Sequence, residues 1–391
     1  MSGAEELIAR GRQAGRLAID TEFMGEGRYR TLLCLIQLAV PEQSGDGESI
    51  ALLDPLDEHA ELAPLAAALE DPAVRIVVHA GRQDVALLRR ELRCEVTNIF
   101  DTQAAAGFAA LGAQSSYDSL LTDVLGLRVS KTASFTRWDA RPLSAEQLAY
   151  AREDVVHLLE LANELERRLS ELGRLEWALE ECRALELVSD ERDPDTIFER
   201  LPRVGGLNAS ARAVARELVE WREQTAERQN RPVQSVLSDA GLVEVARRRP
   251  ASQEDLAKIR GVGASSQGRR ARELLDAVAR ARRRPDEPPP KGGRPAPPKP
   301  EDLPLVALAE ALVRTRAREA GLAYELLAAR ADLQAIVAAV RIGAAPPDVR
   351  TLRGWRAELV GHELLELLDG RVALSVEQAE GTRKLRIEPA G

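Results

Sequence analysis

Up to about Phe108, short apolar runs with a period of two alternate with stretches whose apolar residues recur every three or four positions. The spacing predicts strands over Leu17 to Phe23, Thr31 to Val40 and Ser49 to Leu53, joined by turns containing Gly25, Gly27, Gly45 and Gly47. Connections this short favour antiparallel pairing. A helix over His59 to Leu69, a buried strand over Val74 to His79, a helix over Gln83 to Leu92 and a strand over Thr97 to Phe100 follow, so a mixed sheet is expected. Beyond Asp101 the period is helical, over Thr102 to Leu111, Ser116 to Leu125 and Ser144 to Leu172, where Ser144 and Gln147 form a capping box.

A second unit, Asp195 to Arg280, is helical throughout, with turn signals at Gly205, Gly206, Pro232, Pro250, Gly261 and Gly263. From Arg283 to Pro300 the chain is too rich in proline, glycine and charge to bury a core and reads as an extended linker. Leu303 to about Leu368 is helical again, and Val372 to Ile387 is a strand-like tail. The expected plan is an α/β domain over 1–192, a helical domain over 193–282, a linker over 283–300 and a second helical domain with its tail over 301–391.

Candidate chemistry begins in the first strand. Alternation places Ala18, Asp20 and Glu22 on one face and Leu17, Ile19, Thr21 and Phe23 on the other. Two neighbouring carboxylates on a half-buried face repel unless a cation lies between them, which points to a hard divalent metal; a solvated acidic edge strand is the alternative. Asp84 opens a helix just after a strand end and the turn at Gly81, where α/β sheets bind ligands, although it also suits the positive end of that helix. Tyr150 and Asp154, four apart, share a helix face beside the stripe of Leu148, Ala151, Val155 and Leu158.

Composition narrows the class. A chain of 391 residues has room for two or three domains, no apolar run reaches membrane-spanning length, and the first residues lack a signal-peptide layout, so a cytoplasmic protein is expected. Cys34, Cys94 and Cys182 are too widely spaced for a disulfide framework or a zinc site and read as small core residues. The net charge of -9 excludes a uniformly basic nucleic-acid coat but not local arginine clusters such as Arg247, Arg248 and Arg249.

The order Asp20-Thr-Glu22 on a first strand, His79-Ala-Gly-Arg-Gln-Asp84 at a strand-to-helix turn, Phe100-Asp-Thr102 on the next strand and Tyr150-Ala-Arg-Glu-Asp154 on a later helix resembles the exonuclease domain of the ribonuclease D family, among the DEDD exonucleases of the tyrosine subgroup. The resemblance spans about Leu17 to Leu172 and includes Leu35-Ile-Gln37, Arg141-Pro-Leu143 and Gln147-Leu-Ala-Tyr150. It implies an α/β ribonuclease H-like exonuclease domain with mixed sheet, followed by two small all-α helical domains. Asp20, Glu22, Asp84 and Asp154 match the family's metal-binding carboxylates for two Mg²⁺ or Mn²⁺ ions, and Tyr150 its water-orienting tyrosine. Asp101 is not one of the four and is expected to cap a helix. His59, His79 and His157 read as structural or surface residues.

After Glu22 many members carry Tyr-Pro, whereas this chain has Arg28-Tyr-Arg-Thr31, a departure near Phe23 and Met24, which are expected to meet the terminal nucleotide. About Leu207 to Arg280 resembles the helicase and ribonuclease D C-terminal (HRDC) domain, and the third unit, through Leu326-Leu-Ala-Ala-Arg330 and Gly354-Trp-Arg356, resembles a diverged second copy. The implied activity is a metal-dependent 3′ to 5′ exoribonuclease that trims RNA 3′ ends, with tRNA precursors as the expected substrate, nucleoside 5′-monophosphates as product and no obligate protein partner. A DNA exonuclease on the same fold and a non-catalytic RNA-binding scaffold are the alternatives.

Overall fold

The computed structural model describes residues 3–42, 48–128, 137–263, 267–283, 299–379 and 382–390. The expected turn glycines Gly45 and Gly47 and most of the expected linker lie outside the described residues. A helix not anticipated from the sequence, α1 (Gly3–Ala14), comes first and buries Leu7 and Ile8. Its Gly11 passes so close to the sheet that a Cβ there would lie 2.8 Å from Val40.

The sheet joins β1 (Arg16–Met24), β2 (Leu32–Pro41), β3 (Glu48–Leu53), β4 (Arg75–Val78) and β5 (Ile99–Asp101) in the order β3-β2-β1-β4-β5. The first three form an antiparallel meander, and β4 and β5 add in parallel, giving the expected mixed sheet. β2 carries a bulge where the register shifts between Glu22 and Phe23 of β1. Leu33, Ile36, Leu38 and Val40 consequently pack on one side while Cys34 and Leu35 pack on the other.

α2 (Ala63–Leu69) starts four residues later than the apolar spacing suggested, because Pro64 fixes the first turn and a turn closes from Ala60 N–H onto the Asp57 carbonyl. With α1 and α3 (Arg82–Leu92) it covers one sheet face. The other face receives α4 (Thr102–Phe108), α5 (Tyr117–Leu120) with a π-helical turn over Leu121–Leu125, α6 (Ala145–Glu153) and α7 (Leu158–Glu171). The single helix expected over Ser144 to Leu172 is thus two. Asp154 ends α6 and the ladder tightens, with Val155 N–H and Leu158 N–H bonding carbonyls three residues back. Buried Ala151, Val155, Leu158, Ala162 and Leu165 keep a helical rhythm across the break, which hid it.

α8 (Leu175–Arg183), also unanticipated, packs on β5, where Cys182 Sγ accepts from Asp101 N–H. All three cysteines are buried and free. Next come α9 (Pro194–Arg200), α10 (Ala209–Arg228), α11 (Val233–Val236), α12 (Asp239–Arg248), α13 (Gln253–Ala257) and α14 (Gly268–Ala281), which enclose a core of their own around Phe198, Leu218, Leu242 and Leu274. Two deeply buried arginines brace it: Arg222 binds Asp239 and the Leu237 carbonyl, and Arg212 binds Glu199 over the Phe198 ring.

The third helical unit, α15 (Leu303–Glu319), α16 (Tyr324–Leu327), α17 (Arg330–Arg341), α18 (Gly354–Arg356) and α19 (His362–Leu368), does not close on itself. Its Val306, Leu312, Ile336 and Trp355 share one continuous core with Phe108 of α4, Leu161 of α7 and Ala178 of α8. Trp355 packs edge-on to Phe108 with ring centroids 5.0 Å apart and stacks on Trp177 at 5.3 Å. The tail pairs as the hairpin of β6 (Val372–Ala379) and β7 (Thr382–Pro389).

Candidate active site

Asp20 and Glu22 do share a face of β1, both half-buried, beside fully buried Ala18. β4 pairs with β1 only from Arg16 to Ala18 and then stops, leaving a notch along the rest of β1. α3 begins in that notch. The turn into it has Ala80 at φ 51° and Gly81 at a point where a Cβ would meet Val78 at 2.5 Å, so only glycine fits. Asp101, at the end of β5, secures the turn. Its carboxylate accepts from Ala80 N–H and Gly81 N–H, each at 3.0 Å, while also capping α4 through Gln103 N–H and Ala104 N–H. The capping role expected of Asp101 therefore extends to a second element.

The first turn of α3 delivers Asp84 to the notch, where it is buried and accepts a short hydrogen bond from Thr21 Oγ1. From across the same face α6 brings Tyr150 and Asp154, the latter's N–H still bonded to the Tyr150 carbonyl at 3.3 Å. Tyr150 packs near Trp138, with ring centroids 6.1 Å apart, in a small cluster with Cys34, Leu35 and Met24. Asp20, Glu22 and Asp154 each offer an oxygen, and these atoms all lie within 4.8 Å of one another. Asp84 stands outside that group of three but faces Asp20 closely enough to be the first charge perturbing it.

Electrostatics makes the cluster unfavourable by itself. Burial, then Asp84, Asp154 and Glu22, raise Asp20 well above the usual carboxylate range. Glu22 is pushed up to about 8 by burial, Asp154 and Asp84, and Asp154 to about 7 by burial, Asp118 and Glu153. Asp84 is raised by burial against the opposing hydrogen bond from Thr21. Tyr150 is lifted to about 12 by burial and by Asp154, Glu22 and Asp20. Burial leads for all four acids, like charge follows for Asp20, Glu22 and Asp154, and no cation is among the causes. An all-oxygen donor set under such repulsion fits a hard divalent cation.

Phe23 is 37 % exposed at the end of β1, whereas Met24 turns into the Tyr150 cluster. The departing loop is occupied by the second unit: Tyr29 O–H donates to Glu223 at 3.1 Å, Tyr29 N–H donates to Asn230 and Arg30 pairs with Glu227. Arg192 joins this junction, bonding Glu223 and lying over the Tyr29 ring. Arg247 and Arg248 pair with Glu244 on their own helix, and Arg249 donates to Ser210. These three arginines are thus engaged locally and are not brought to the carboxylates. His79 is structural, its Nδ1 2.9 Å from Thr102 Oγ1 and its ring beside Tyr117.

Sequence reasoning passed over Thr21, Trp138 and Asp118. Thr21 belongs to the buried face of β1 and shows no signal beyond lying between two acids, and Trp138 and Asp118 reach the site only through tertiary folding.

The sequence pattern of the 3′-5′ exonuclease family matches residues 1–170, and that of the HRDC domain matches residues 211–278. Ribonuclease D of Gluconacetobacter diazotrophicus is 38% identical, the alignment covering 97% of this chain and 94% of that protein. Ribonuclease D of Granulibacter bethesdensis is 37% identical over 92% of this chain and 89% of its own. The crystal structure of Escherichia coli RNase D, described as an exoribonuclease involved in structured RNA processing, superposes with a TM-score of 0.80 at 27% identity, covering 93% of this chain and 96% of that one. Near full-length identity of this order, on the same fold and with both domain patterns in place, makes the chain a member of the ribonuclease D family and a 3′-5′ exoribonuclease.

Proposed function

We propose that Asp20, Glu22, Asp84 and Asp154 hold two divalent ions, Mg²⁺ or Mn²⁺, and that Tyr150 aims the water that cleaves the terminal phosphodiester, as in the tyrosine subgroup of these exonucleases. The observation that carries the reading is the convergence of three carboxylate oxygens within 4.8 Å on the one stretch of β1 left open by β4. Divalent ions bound there supply charge stabilisation at phosphorus and acidify water.

The protein's own groups do the rest. Thr21 fixes the Asp84 carboxylate. Tyr150, a phenol and so protonated at neutral pH, acts by donating a hydrogen bond to the nucleophile rather than by accepting its proton. Exposed Phe23 offers a flat apolar surface to the last base. The products are nucleoside 5′-monophosphates, and the cellular role is trimming of RNA 3′ ends, tRNA precursors in particular, in the cytoplasm. Among the described residues no helix is long and apolar enough to cross a membrane.

The test is hydrolysis of a 5′-labelled single-stranded RNA beside the matched DNA, with Mg²⁺, Mn²⁺ or chelator. A ladder shortening from the 3′ end, dependent on metal and faster on RNA, is expected. Equal rates on DNA would refute the RNA preference, since sugar recognition decides it.

A further inference from the structure

Beside the notch, where α3 begins, a groove of about 950 Å³ runs between the start of that helix and the segment that leads into the second unit. Its walls are Arg82 and Gln83 on the exonuclease side and Leu187, Glu191, Thr196 and Arg200 on the other. Most of its charges are already committed. Asp190 is bound to Arg90, Arg192 to Glu223, and Asp193 caps α9 through Thr196 N–H. Arg82 and Arg200 are exposed and have no acidic partner among the described residues. That leaves the guanidiniums of Arg82 and Arg200 without an acidic partner, in a lining that also holds Glu191 and the capping carboxylate of Asp193. Leu187 is 82 % exposed at the rim, an apolar side chain in the open next to free cations.

Unpaired arginines spaced along a groove with an apolar contact suit a polyanion that also carries flat apolar faces. The groove reaches Ala80 of the turn that carries α3, and with it Asp84, into the notch, and its far wall belongs to the approach to the HRDC unit. We propose that this groove takes the backbone of the single-stranded RNA a few nucleotides upstream of the cleaved bond, with Arg82 and Arg200 each contacting a phosphate and Leu187 supporting a base. The inference rests on the active-site reading above, since it takes its direction from the carboxylates. A strand so held would touch both units at once, and its register would depend on their junction at Tyr29, Arg192 and Glu223.

The test uses the full chain in EDTA, so that RNA stays intact, and measures binding of a single strand of about twelve nucleotides against salt. In R82Q/R200Q the slope of log K against log salt is expected to flatten by about 1.4, at about 0.7 per lost phosphate contact. R82K/R200K should keep most of the slope, and E191Q should tighten binding. R12Q, which removes a charge already paired with Asp71, should leave the slope unchanged. A wild-type slope in R82Q/R200Q, or the same flattening in R12Q, would overturn the groove. Failure of the wild-type chain to shorten the same RNA from its 3′ end in Mn²⁺ would instead overturn the active-site reading.

Discussion

Carboxylates drawn into one pocket repel, and without a cation the repulsion grows as protons leave. Glu22 rises from its ordinary 4.5 to about 8 and Asp154 from 3.8 to about 7. Across that window the folded metal-free protein holds protons that the unfolded chain has released. The stabilising contribution is therefore complete below about pH 4 and is lost as pH climbs toward 8. We expect the melting temperature in chelator to fall between pH 5 and 8 and the fall to be shallower in Glu22→Gln and Asp154→Asn. A metal-free melting temperature that climbs over the same range would contradict the clustering. Tyr150→Phe should slow turnover by about 10²-fold with Mn²⁺ affinity unchanged, because it deletes only a positioning hydroxyl; single-turnover kinetics alongside calorimetric Mn²⁺ titration separate the two effects. The candidate residues themselves were legible because each sits in a short motif of fixed order. Thr21 was not, since its role depends on where β4 ends.

At the scale of elements, the placement of Asp84 depends on a turn whose amides are held by Asp101. Asp101→Ala removes an acceptor from Ala80, Gly81, Gln103 and Ala104 at once. The expected cost is about 2–3 kcal/mol, combining a lost cap with buried donors left unmet. Activity should drop further than stability explains, since α3 carries Asp84; comparing kcat well below the melting temperature with chemical denaturation checks this. The five strands of the first domain, their mixed pairing and the helices α2 to α5 followed from periodicity and turn residues. The break after Asp154 did not, because the apolar stripe passes through it unaltered. Nor did α1, whose few buried side chains, Leu7 and Ile8 with Gly11 against the sheet, make too short a pattern to mark a core helix.

Over the whole molecule, a cut after Arg192 looks harmless in sequence, since the candidate catalytic residues precede it. The shared core argues otherwise. Removing the third unit would expose Phe108 and the packed faces of α7 and α8. Trp355→Ala is expected to cost about 3–5 kcal/mol and to lower the thermal midpoint of exonuclease activity along with that of tryptophan fluorescence. Activity that survives to the wild-type midpoint would mean that the third unit is only appended. That packing was illegible in sequence because helices that cover another domain have the same amphipathic period as helices that close on themselves. The most direct test of the central claim follows a 5′-labelled RNA during digestion in Mn²⁺ by the full chain and by its Asp20→Asn variant. A ladder descending from the 3′ end in the wild type, lost in the variant while its melting temperature in chelator is level or higher, is the expected result; wild-type digestion by Asp20→Asn would contradict the assignment of the site.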